Sequence, residues 1–364
     1  MIDRADRPTL GIYGPRLPQK SGVSTYIERS LPYLAEAFTC VRARNMPPES
    51  FENVLYHLGN NGTHHAAFRA LRRRPGPIIL HEYNNLDYYY QCWDLLDDNE
   101  QGLLLALVGR SLGIVLRDRE ELERHFARHP EVDRYCIDAC CEQVAIDSAT
   151  VTFVHSEYVA QFLQDRYPNA QIETLPFPVT RIGDAGEPGI RARLDLPPDA
   201  FLFGVFGFIG EYKRIEKIIE AWQRWPERPA PAVLILAGER QYELSVPAGQ
   251  SIVETGYLSD DDFDQLLVSV DCGIQLRFPT LGETSGPISA LIAHRRPIIL
   301  SDIPEMRGYA ECGDVSFVPV GDTEIPALID AMSHQLRHAR RAPEYNESFA
   351  WDTWRDTITK RLGT

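Results

Sequence analysis

No run of apolar residues in this 364-residue chain approaches the roughly 18 that a membrane-spanning helix requires. Its opening, M-I-D-R-A-D-R, lacks the apolar core of a secretory signal, so a cytoplasmic protein is expected. The seven cysteines, Cys40, Cys92, Cys136, Cys140, Cys141, Cys272 and Cys312, form no C-x-x-C pair and match no His spacing, which excludes a disulfide framework and a zinc site. Cys136 and Cys140 lie one turn apart in a helical stretch and read as buried thiols. The G-x-G-x-x-G fingerprint is missing as well. Residues 11–27 read G-I-Y-G-P-R-L-P-Q-K-S-G-V-S-T-Y-I, with the wrong glycine spacing and no acidic residue about 20 positions on to hold a ribose, which disfavours nicotinamide binding. Positive charge is in deficit: 37 Lys and Arg against 52 Asp and Glu leave a net charge of −15, which repels nucleic acid and anionic lipid over most of the surface. Any polyanionic ligand must therefore meet a local cationic pocket.

What is present is an alternation of β-rich and helical runs from end to end, the pattern of parallel sheets covered by helices on both faces. The chain exceeds the length one core usually supports, so two domains are expected. In the first half, residues 9–13, 54–58, 78–81 and 150–155 read as strands, and 25–37, 64–73 and 158–167 as helices, with a longer helical zone from about 100 to 147. Residues 176–198, dense in Pro, Gly and charge, read as a linker. Beyond it come strands at 203–208, 233–237, 252–255, 272–276 and 297–300, and helices at 214–225, 260–268, 285–294 and near 326–336. Trp351, Trp354 and Ile358 recur at helical spacing and give a last helix one apolar face. The expectation is an α/β chain of two Rossmann-like domains facing each other across a cleft, residues 1–180 and 181–345, with 346–364 a helix packing at their junction.

The stretch L-G-E-T-S-G-P-I-S-A-L-I-A-H-R-R-P-I-I-L-S-D, residues 281–302, places a Gly/Ser-rich turn at the start of a helix. Gly282, Ser285 and Gly286 permit close backbone approach, and the unpaired first-turn N–H groups and the helix dipole favour an anion there. Glu283, too negative to help a phosphate, suits a neutral hydroxyl-bearing group beside it. Phosphate next to polyol describes a nucleotide sugar; the same turn reads equally as an ordinary N-capped helix with an exposed Glu. Lys213 and Arg214 fall where the loop in G-F-I-G-E-Y-K-R becomes helix, positioned to neutralise a diphosphate leaving group, and Arg277 ends a neighbouring strand. His81 and Glu82 follow a buried strand, as a substrate contact and a base, or as a core-capping imidazole and a solvated carboxylate. The run Asp260-Asp261-Asp262 opens a helix and reads as capping, so no catalytic metal is inferred.

Together these motifs resemble the retaining glycosyltransferases of family four, with the GT-B fold, over nearly the whole chain. S-G-V-S-T-Y-I is similar to that family's N-terminal glycine loop, G-F-I-G-E-Y-K-R to its phosphate-binding loop, E-T-G-Y-L-S-D-D-D-F to its base-holding segment, and residues 282–302 to its E-x7-E region. The resemblance implies that Glu283 contacts donor-sugar hydroxyls and that Thr284, Ser285, Gly286 and Pro287 meet sugar or diphosphate. It further implies that Lys213 binds phosphate, that His81 lies near the transferred sugar, that Gly22 lies near the donor, and that Gly256, Tyr257 and Leu258 hold the base. The second glutamate of E-x7-E is replaced by Ala290 or Leu291, and the arginine that usually follows the phosphate-loop glycine corresponds to Phe208, leaving Arg214 or Arg277 to supply that charge. The implied activity is transfer of a sugar from a nucleoside diphosphate sugar to an acceptor hydroxyl, on a polysaccharide or specialised metabolite, with retention of configuration, and no cofactor or metal beyond the donor co-substrate. The alternatives are a nucleotide-sugar-binding protein without turnover and a nucleotide-sugar epimerase of the same fold.

Overall fold

The structure is a computed structural model that describes residues 7–17, 21–128, 141–182, 189–225, 231–247, 249, 251–280, 282, 284–338 and 345–363. Cys136, Cys140 and Glu283 lie outside the described residues. The chain divides into two compact units. One comprises Met1–Pro176, Pro279–Thr284 and Trp351–Thr364; the other, Phe177–Phe278 and Ser285–Ala350.

The first unit holds strands β1 (Thr9–Tyr13), β2 (Thr39–Ala43), β3 (Asn53–Leu58), β4 (Gly76–Leu80), β5 (Ala149–Val154) and β6 (Ile172–Thr174). They form one parallel sheet in the order β2-β1-β3-β4-β5-β6. Its helices are α1 (Gly22–Leu34), α2 (His65–Arg73), α3 (Leu86–Gln91), α4 (Asp98–Leu112), α5 (Arg119–Arg128), α6 (Gln143–Ser148) and α7 (Glu157–Arg166). The helical zone read at 100–147 is thus broken into α4, α5 and α6 in the described residues. α4 starts where a capping box forms, the Glu100 N–H donating to Asp97 Oδ1 at 2.9 Å and the Asp97 N–H to Glu100 Oε2 at 2.8 Å. Ile12, Leu55, Tyr56, Ile78, Ile79 and Phe153 are fully buried, as a sheet covered on both faces requires.

The second unit runs α8 (Ile190–Arg193), β7 (Phe201–Phe206), α9 (Ile215–Arg224), β8 (Ala232–Ala237), β9 (Ile252–Gly256), α10 (Asp260–Ser269), β10 (Cys272–Gln275), α11 (Gly286–Ala293), β11 (Ile298–Ser301), α12 (Pro304–Arg307), β12 (Val315–Val318) and α13 (Glu324–His338). Its parallel sheet has the order β12-β11-β10-β7-β8-β9. Counted from β7, this is the order 3-2-1-4-5-6 of dinucleotide-binding sheets. The six residues of β8, A-V-L-I-L-A, are all buried, and α9 turns Ile215, Ile218, Ile219 and Trp222 inward at helical spacing. Alternate residues divide between the faces: Leu202 and Phe206 join the cluster under α11, while Phe203 and Val205 join that under α9.

The last helix, α14 (Trp351–Leu362), belongs to the first unit. Its Trp354 Nε1–H donates to Tyr26 of α1 at 2.5 Å, and Trp351 stacks on Tyr33 with ring centroids 5.3 Å apart.

Candidate functional site

In open α/β sheets a ligand sits at the carboxyl ends of strands where the strand order reverses. In the second unit that point lies between β7 and β10, so the loops after these strands define the site: residues 207–214 and 276–278, with Ser285 at the start of α11. These are the two segments that carried the chemistry in the sequence.

The loop after β7 begins at Gly207, whose φ of 87° is a left-handed conformation that costs other residues strain. A Cβ built there would lie 2.9 Å from Lys213 Nζ and 3.6 Å from Pro287 Cγ, so lysine tip and first turn of α11 converge on this glycine. Lys213 is 3% exposed, and its ammonium donates to the carbonyl of Phe206 at the end of β7. A buried ammonium at this point is the local cationic pocket that the acidic composition demands.

The loop after β10 supplies Arg277, 6% exposed, whose N–H donates to Ser301 Oγ at 2.8 Å and whose guanidinium lies over the Tyr212 ring at 5.2 Å. Ser285 is the N-cap of α11 but makes no side-chain cap bond. Its hydroxyl is buried and without a hydrogen-bond partner, a donor held beside unpaired helix N–H groups. Gly286 opens the helix and Pro287 takes the position where a missing N–H costs nothing. The structure therefore brings Lys213 and the α11 start together. Thr284 and Gly282 precede the helix in the segment grouped with the first unit, where Gly282, at φ 71°, is covered by Tyr83: a Cβ would fall 1.7 Å from Tyr83 Cε1.

Arg214 is paired within the second unit. Its Nε donates to Glu324 Oε1 at 2.5 Å and its Nη2 to Glu324 Oε2, a bidentate pair with a carboxylate 1% exposed. The fork is spent on α13. The base-binding candidates lie at the end of β9: Gly256 with φ 64°, Tyr257 58% exposed, and Leu258 packed against the cluster under α11.

In the first unit the strand order reverses between β1 and β3. Gly22 is the first residue of α1, with open space where a Cβ would stand, and Ser21 caps the helix by accepting the Val23 N–H at 3.2 Å. His81 follows β4, but its ring is closed on both sides. Nε2 lies 3.2 Å from His57 Nδ1, and Nδ1 lies 3.2 Å from His155 Nε2. Both nitrogens of His81 are thus taken up by neighbouring histidines of the same unit. Sequence reasoning missed His57, because a histidine inside a strand gives no signal until its neighbours across the sheet are known. Glu82 Oε2 accepts the Asn60 N–H at 3.1 Å, tying the loops after β3 and β4 together. Among the described residues no group of three or more His, Cys, Asp or Glu is placed to hold a metal ion, and no helix is long and apolar enough to cross a membrane.

No family model matches the chain, and no curated protein matches it by sequence. Solved structures do share its fold. Sucrose-phosphate synthase from Thermosynechococcus elongatus aligns over 97% of this chain and 98% of its own, with a TM-score of 0.55 at 15% identity. WaaG, a glycosyltransferase involved in lipopolysaccharide biosynthesis, aligns over 98% and 95%, with 0.54 at 11%. A trehalose-6-phosphate protein from E. coli bound with UDP-2-fluoro glucose aligns over 97% and 98%, with 0.53 at 11%. The fold is thus that of the GT-B glycosyltransferases: two parallel six-stranded sheets with flanking helices.

Proposed function

We propose that the chain transfers a sugar from a nucleoside diphosphate sugar to an acceptor hydroxyl. The observation that carries this reading is the buried Lys213 ammonium converging with the start of α11 on Gly207, at the strand-order reversal of a dinucleotide-type sheet. A diphosphate there meets a fixed cation, the first-turn N–H groups and the unpartnered Ser285 hydroxyl, all in place before charge develops on the leaving group. Arg277 adds a second cation, taking the role that Arg214 gives up to Glu324. Glu283, by resemblance, holds the sugar hydroxyls, and the nucleotide base lies at Gly256, Tyr257 and Leu258. The fold neighbour bound with UDP-2-fluoro glucose makes a uridine donor the first to test. Transfer with retained configuration needs no protein nucleophile in this picture: the departing diphosphate oxygen accepts the acceptor's proton, and the protein supplies position and charge.

The test is a thermal-shift panel of UDP, GDP, ADP and their glucose conjugates, followed by diphosphate release from the best binder. One nucleotide should raise the melting temperature of the wild type, and Lys213→Ala should lose most of that shift while melting normally alone. Binding without any release of diphosphate favours a sugar-nucleotide-binding protein. No shift with any nucleotide refutes both.

A further inference from the structure

The carboxyl ends of β3, β4 and β5 carry three imidazoles in a continuous hydrogen-bonded chain. His57 is 0% exposed, His81 and His155 7% each. His155 Nδ1 lies 2.9 Å from the Leu175 carbonyl, which can only accept, so that nitrogen carries a hydrogen. A neutral His155 then has a bare Nε2, which accepts from His81 Nδ1; His81 Nε2 in turn accepts from His57 Nδ1. Three neutral rings own three N–H groups, and these three bonds use them all. The chain ends at His57 Nε2, which is buried and without a partner. While the three bonds persist, a fourth proton has one place to reside: His57 Nε2.

That place is unfit for an N–H. The Arg42 guanidinium of β2 acts on His57 against a positive charge, as do His64 and His155. The carboxylate that accompanies Arg42, Glu28, is bonded to Arg42 Nε at 3.1 Å, and His64 Nδ1 is bonded to the His57 carbonyl at 2.9 Å. Over the chain lies one ring, Tyr26 of α1, with centroids 5.7, 4.9 and 5.4 Å from His57, His81 and His155. Tyr26 is in turn covered by Trp351 and Trp354 of α14, at 5.7 and 5.9 Å, and its hydroxyl takes the Trp354 N–H. The cover of the chain is therefore also the anchor of the last helix.

We propose that the His57–His81–His155 chain is an acid sensor whose protonation, taken up at His57 Nε2, loosens α14 from α1. The charged chain has a buried N–H with no acceptor, repelled by the Arg42 charge, and it is relieved when water enters beneath Tyr26. Moving Tyr26 releases Trp354. Burial pushes His155 down to about 4 and holds His57 and His81 well below the ordinary histidine range, which places the event on the acid side of neutrality. The proposal is independent of the transferase reading.

The experiment is hydrogen exchange of the α14 amides in the full chain as pH is lowered, corrected for intrinsic rates. In the wild type, protection of α14 should be lost at a higher pH than protection of β3 and β4. His57→Asn places an amide nitrogen where Nδ1–H donates to His81 and removes the vacant nitrogen, so α14 should hold to a pH lower by about one unit. Loss of α14 protection at an unchanged pH in H57N, or only together with β3 and β4 in the wild type, overturns the proposal. Side-chain nitrogen NMR of the wild-type histidines at neutral pH tests the proton count without a variant. All three should be Nδ1-protonated, and an Nε2–H tautomer at any of them overturns it equally.

Discussion

Lowering the pH from about 7.5 to about 5 should cost the first unit much of its stability, through histidines that are buried neutral. His64 and His155 are both pushed down to about 4 by burial, against an ordinary value of 6.5. Between these values the unfolded chain binds protons that the folded one refuses, so stability falls as pH falls through this window and levels off below about 4. At pH 5 an unfolded imidazole gains about 2 kcal/mol from protonation that the folded one lacks, so the pair costs about 4 kcal/mol. That is a large share of the about 5–15 kcal/mol typical of a domain. His57 and His81, also held down, act with the same sign. Glu142, whose carboxyl is raised by burial, acts with the opposite sign, so total stability alone does not isolate the histidines. The decisive comparison is His64→Asn, whose amide keeps a donor near the His57 carbonyl while removing one titrating ring. Urea unfolding at several pH values should give a slope of stability on pH lower by about 1.4 kcal/mol per unit in H64N than in the wild type. Equal slopes, or wild-type stability that is flat or rises toward pH 5, refute the reasoning.

Gly282→Ala forces a Cβ into the Tyr83 ring and keeps φ at 71°, so it should lower the melting temperature. Tyr83→Ala in the same chain should recover part of that loss, which a double-mutant cycle measures. Trp354→Phe removes the N–H donated to Tyr26 at 2.5 Å and should cost about 1 kcal/mol in urea unfolding; an unchanged stability refutes that bond's contribution. Glu324→Ala frees the Arg214 fork, so it should alter nucleotide-induced thermal shifts as well as lower stability; a stability loss with unchanged shifts places Arg214 away from the ligand.

Much of the architecture was legible because parallel sheets need continuous apolar strands: 9–13 was read with the bounds of β1, and 233–237 within one residue of β8. Three strands escaped. β2 is only partly buried, β6 spans three residues, and β12 is buried only at Val318, so none presents an apolar run. The sequence places the start of the last helix at residue 346, five residues before Trp351, because Phe349 is buried but sits in a separate turn. In the site, Lys213 and the α11 turn were legible from local motifs, since loop, helix start and cation are neighbours in sequence. The Arg214–Glu324 pair spans 110 residues and the His81–His155 bond 74, and pairings of that range leave no local trace.

The first unit is closed by residues from the far end of the chain, and this has a consequence for synthesis. As the polypeptide leaves the ribosome, the second unit has all its strands before Trp351 is made, whereas Tyr26 and Tyr33 wait for the final segment. The nascent first unit thus keeps an aromatic face uncovered until the segment from Trp351 is made, the kind of surface a chaperone shields. A stop codon ahead of Trp351 would leave that face bare for good.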